Sequence, residues 1–83
     1  MIQTVVKRDG RIVGFNEQKI MAAIRKAMLH TEKGEDDELI QKITDHISFK
    51  GKDQMTVENI QDSVELELMK SARKDVAHIF IAY

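Results

Sequence analysis

Eighty-three residues, 42% of them hydrophobic, suffice for one small domain around a single modest core and leave no room for a second. The chain has no cysteine, which excludes disulfides, thiolate metal sites and a cysteine nucleophile or radical carrier within it. Its 13 Lys and Arg nearly balance its 14 Asp and Glu, so a sequence-independent grip on nucleic acid is not expected and any anion binding has to be local.

No apolar run approaches the roughly 20 residues needed to cross a bilayer, and the N-terminus lacks the apolar stretch of a signal peptide. The expectation is a cytoplasmic domain with no membrane contact. In chain order, short β-branched runs at Gln3–Arg8 and Arg11–Phe15 flank Asp9-Gly10, which predicts a two-residue type I′ hairpin. That register sets Val6 opposite Val13 and Thr4 opposite Phe15 on one face, with Val5 opposite Gly14 and Lys7 opposite Ile12 on the other. A lone ribbon is marginal in water, so one of its faces is expected to lie against helices.

Asn16 is placed to cap a first helix carrying Ile20, Ile24, Ala27 and Met28 at helical spacing and running to about His30. The stretch "TEKGEDDE" reads as a loop, with Asp36 or Asp37 capping a second helix striped by Leu39, Ile40, Ile43 and Ile47 and ending before Gly51. Thr56 is a good N-cap for a third helix, stapled by Met55 and Ile60 and striped by Val57, Ile60, Val64 and Leu68. A last helix begins between Ser71 and Asp75 and carries Val76, Ile79, Phe80 and Tyr83. It ends inside its apolar stripe without a capping residue, so residues 1–83 are expected to form a single domain, the N-terminal piece of a longer chain. The predicted fold class is α+β, mostly α: an N-terminal two-stranded antiparallel hairpin packed on a small four-helix bundle.

The glycine-rich loops that commonly cradle phosphate are absent. His30, His46 and His78 fall on separate helices without ligand spacing, so no metal site is expected, and no serine sits in a nucleophile elbow, so the domain itself is read as non-catalytic. The cluster Lys7, Arg8 and Arg11 has two readings. Charged residues at a hairpin tip keep a two-stranded edge soluble. Alternatively the cluster holds an anion together with the free amides after Asn16, where Lys19 occupies a first turn that disfavours cations. Phe15 leads directly into Asn16, so the two features are neighbours. Gly14 opposite Val5 would leave a shallow slot for a flat ring, or serve only the twist of the ribbon.

With these residues in view, "VVKRDGRIVGFNEQKI" resembles the opening of the ATP-cone, the regulatory nucleotide-binding domain at the N-terminus of many ribonucleotide reductases. "TVENIQDSVELELM" is similar to the third helix of that domain and "KDVAHIFIAY" to its closing segment, so the resemblance spans essentially the whole chain. It implies an allosteric domain that binds ATP or dATP and controls the overall activity of a reductase in deoxyribonucleotide synthesis. The matching nucleotide positions are Val5, Lys7, Arg8, Asn16 and Lys19, with Thr56 as a further candidate. Lys7, Arg8 and Lys19 would hold phosphates and Val5 would lie near the base. No metal of the domain's own is implied, only Mg2+ arriving on the nucleotide, and the implied partners are the catalytic domain of the same chain and, through it, further copies. Two departures stand out: Val13 is apolar where some members have an acidic residue, and the sequence ends at Tyr83, where some members continue with a basic residue.

Among parents, the closing segment most resembles that of anaerobic ribonucleoside-triphosphate reductases. One alternative is the nucleotide-sensing domain of a transcriptional repressor of reductase genes, against which the start at Met1 with no zinc-ribbon cysteines weighs. The other is a helical protein-interaction module with an incidental basic hairpin.

Overall fold

The computed structural model describes the backbone of residues 1–82 and the side chains through Ile81; Tyr83, expected on the last apolar stripe, lies outside the described residues. Along the chain run β1 (Thr4–Val6), β2 (Ile12–Gly14), α1 (Glu17–Leu29), α2 (Asp37–Lys50), β3 (Gln54–Thr56), α3 (Val57–Lys70) and α4 (Lys74–Ala82). The α+β, mostly helical class and the helix positions agree with the sequence reading. The sheet and the hairpin turn depart from it.

The hairpin closes through a three-residue loop. The Gly10 N–H donates to the Lys7 carbonyl at 2.9 Å and the Lys7 N–H donates to the Arg11 carbonyl at 2.8 Å. Within the turn, Gly10 alone has a positive φ, +89°, whereas a type I′ turn would need Asp9 there too. This is a type I turn followed by a left-handed glycine, and Asp9 fits it because its carboxylate folds back onto the Arg11 N–H at 3.0 Å. The extra loop residue slips the register by one, pairing Thr4 with Gly14, Val5 with Val13 and Val6 with Ile12. Since side chains alternate with period two, the slip reverses the predicted partners: Val5 now shares a face with Val13, and Gly14 no longer opposes it.

A third strand, absent from the sequence reading, completes the sheet. β3 runs parallel to β1, with Val5 beside Met55 and Val6 beside Thr56, in the order β2-β1-β3. The Asp53 carbonyl accepts from the Gln3 and Thr4 N–H groups at 2.7 and 3.0 Å. One edge of β1 is thereby satisfied, which a two-stranded ribbon would have left to water.

The predicted stripes form the core. Ile20, Ile24, Ala27 and Met28 from α1 pack with Ile40, Ile43 and Ile47 from α2, Ile60, Val64 and Leu68 from α3, and Val76 and Ala77 from α4. Ile2 is buried as well and lies against Gly51, where even a methyl group would collide with its Cγ1. Each of the first three helices has the expected side-chain cap: Asn16 accepts from Gln18, Asp36 from Leu39 and Thr56 from Asn59. The α1–α2 loop is fastened by Arg73, whose guanidinium donates to Thr31 Oγ1 and the Gly34 carbonyl, both at 3.0 Å, and to the Asp75 carboxylate. That interaction also holds Asp75 below the usual carboxylate range, chiefly through the Arg73 hydrogen bond.

Candidate functional site: a cleft beneath the hairpin

A cleft of about 600 Å³ opens between the inner face of the hairpin, α1 and α3, with the end of α4 at its back. Its position follows from the register. Val5, Lys7, Val13 and Phe15 lie on one face of the ribbon, and all four line the cleft. Val5 and Phe15 also pack against the helical core, so this is the face that closes the ribbon onto the bundle.

Of the residues singled out in the sequence, the structure brings Val5, Lys7, Arg8, Asn16 and Lys19 together on the walls of this cleft. The hairpin supplies the first three, and α1 and its cap supply the others. Lys7 and Lys19 line the cleft and make no ion pair among the described residues. Arg8 is engaged: its Nε lies 3.3 Å from Glu58 Oε1, and it donates to Gln61 Oε1 at 3.1 Å. Arg11 turns away to Asp9 at 2.7 Å. The Arg11 N–H, its guanidinium and nearby Lys7 hold the Asp9 carboxyl below its ordinary value, the backbone contact contributing most.

Two expectations about the geometry of the site need correction, and one candidate residue stands apart from the cleft. The first-turn amides of α1 are largely spent, because the Gln18 N–H donates to Asn16 Oδ1 and the Lys19 N–H to the Asn16 carbonyl. Side chains therefore carry most of the cleft's positive potential, and the helix end adds little by way of free donors. Gly14 lines the cleft without making a slot opposite Val5, since Val13 stands there, and a methyl group at Gly14 would meet nothing within 4 Å. Thr56 lies outside the cleft wall, its hydroxyl accepting from the Asn59 N–H at 3.1 Å as the cap of α3.

Other parts of the cleft were not read from the sequence. Lys26 lies seven residues after Lys19 on the same face of α1, a spacing that could have found it. The opposite wall is acidic, with Glu58, Asp62 and Glu65 on one face of α3. Their spacing of four and three is also legible, but which element α3 faces is not. Ile20, Ala23, Val57 and Phe80 add apolar lining. The arrangement is therefore a cationic wall facing an acidic one across apolar lining, and its cationic side suits a ligand with a flat apolar body and an anionic tail. Among the described residues no cluster of His, Asp and Glu could hold a metal ion, and no helix is long and apolar enough to cross a membrane.

The sequence pattern of the ATP cone domain matches residues 3–83. A vitamin B12-dependent ribonucleoside-diphosphate reductase from Thermoplasma acidophilum is 42% identical over 91 residues, an alignment covering 100% of this chain and 12% of that protein. Ribonucleoside-diphosphate reductase α subunits from Chlamydia pneumoniae and Chlamydia trachomatis are 34% and 32% identical, over 99% and 96% of this chain and 9% of each subunit. The chain thus spans about a tenth of the length of the curated relatives it matches.

Proposed function

The chain belongs to the ATP cone domain family, and from that premise we propose that it binds ATP or dATP in the cleft beneath the hairpin as the allosteric regulatory domain of a ribonucleotide reductase. Residues 1–83 would be one domain of a longer chain, acting on the catalytic domain that follows and, through it, on the pairing of subunits. The observation that carries this reading is the convergence of Lys7, Arg8 and Lys19 on one cleft with apolar lining. Lys7 and Lys19 would take the phosphates as unpaired cations, Arg8 as a planar fork, and Asn16 would fix the end of α1 beside them. Val5 and Val13, side by side in the observed register, would offer a flat apolar surface to the base.

The relatives named above are diphosphate reductases. Their names favour a diphosphate-reductase parent over the anaerobic triphosphate class suggested by the closing segment.

Regulation requires differential binding, because a nucleotide held equally well by active and inactive states shifts neither. Telling ATP from dATP is a matter of one ribose hydroxyl, on the order of 1 kcal/mol. Allosteric coupling of about 1–3 kcal/mol is the usual range, so discrimination of that size is enough. Thermal unfolding with ATP and with dATP at millimolar concentration tests the reading. A rise in Tm that grows with nucleotide concentration supports it, and an unmoved Tm with both nucleotides favours the helical interaction module instead.

A further inference from the structure

Arg8 is the only one of the three proposed phosphate-binding cations with an ion-pair partner among the described residues, and that partner stands across the cleft. Its guanidinium spans two acceptors one helical turn apart, Glu58 Oε1 at 3.3 Å and Gln61 Oε1 at 3.1 Å, both on the first turns of α3. Among the described residues no other hydrogen bond or ion pair joins the hairpin to α3. The three side chains all line the cleft, so this bridge lies where a ligand's anionic end would enter.

We propose that the Arg8–Glu58 bridge is a self-competing latch, which an adenine nucleotide must open by drawing Arg8 onto its phosphates, and which thereby reports occupancy of the cleft to α3. The inference rests on the nucleotide reading above. Arg8 and Glu58 are 69% and 54% exposed at their side chains, so water and salt screen the pair and it is weak. A triphosphate offers more charge and several acceptor oxygens to the same fork and wins the exchange. Once Arg8 leaves, the bridge that ties the first turns of α3 to the hairpin is gone, and α3 is free to shift away from it. Because α3 packs against α2, α4 and β3, that displacement is felt by much of the domain.

The latch makes a specific statement about Glu58: its carboxylate opposes nucleotide binding, and does so through Arg8. Calorimetric titration of the 83-residue chain with ATP is expected to show Glu58→Gln binding about two- to five-fold tighter than wild type, the weight of an exposed ion pair. In an Arg8→Gln background, where ATP is held by Lys7 and Lys19, the same change is expected to shift affinity less than about 1.5-fold, because no pair remains to break. Asp62→Asn, which removes a carboxylate from the same wall without touching Arg8, is the control for charge alone. A gain at Glu58 that persists without Arg8, or that Asp62→Asn reproduces in full, overturns the latch, as does an unchanged or weaker affinity of Glu58→Gln. Wild-type protein that binds no ATP overturns the latch together with the nucleotide reading, whereas normal binding with no effect of Glu58 overturns the latch alone.

Discussion

Asp9 is a fully charged turn residue whose job is local. Its carboxylate accepts from the Arg11 N–H and from the Arg11 side chain, which holds it below the ordinary aspartate range in the folded chain. A carboxyl depressed by folding contributes stability that is complete above the unfolded value and is lost as pH falls through the folded one. Carboxyl chemical shifts followed against pH are therefore expected to place the Asp9 midpoint below that of an unstructured aspartate. Arg11→Gln should return it only part of the way, since the backbone donor, the larger cause, remains. Thr44 is the opposite case, a fully buried hydroxyl for which the structure gives no hydrogen-bond partner. An unpaired buried hydroxyl costs about 1–3 kcal/mol of desolvation, so Thr44→Val, nearly the same shape, is expected to leave Tm unchanged or raise it. A marked fall in Tm would mean that the hydroxyl is satisfied after all.

At the scale of elements, the caps and the tight crossing carry the testable content. Thr56→Ala removes the side-chain cap of α3 and is expected to cost about 1 kcal/mol in urea unfolding, with ATP affinity little changed because the hydroxyl is not on the cleft wall. Loss of nucleotide affinity without loss of stability would return Thr56 to the site. Gly51→Ala meets Ile2 and Met55 in the core, an overpacking expected to lower stability by about 1–3 kcal/mol by the same measurement. Much of this level was readable in advance: Asn16, Asp36 and Thr56 announce their helices because a short polar side chain before an apolar stripe has one obvious use. The turn was misread because Asp-Gly serves both a two-residue turn with two positive φ angles and a three-residue one with a single left-handed glycine. Choosing between them depends on where the strands bond, which local sequence does not state. β3 escaped notice because it has three residues, shows no alternation, and pairs with β1 across some fifty positions.

At the scale of the whole molecule, the cleft exists because a ribbon, α1 and α3 meet around one core, and no segment contains more than part of it. The hairpin cations and Lys19 were legible because Phe15 and Asn16 join their elements directly. The acidic wall on α3 was not, since its placement depends on packing between distant helices. The central claim is that Lys7 of the hairpin and Lys19 of α1, neither in an ion pair among the described residues, hold the phosphates of one adenine nucleotide in that cleft. Calorimetric titration of the Lys7→Ala, Lys19→Ala protein with ATP, beside wild type, tests it most directly. Each charge-assisted contact is worth about 1.5–3 kcal/mol, so the double variant is expected to bind at least about a hundred-fold more weakly while keeping the wild-type Tm without nucleotide. Wild-type affinity in the double variant would contradict the assignment of this cleft as the nucleotide site.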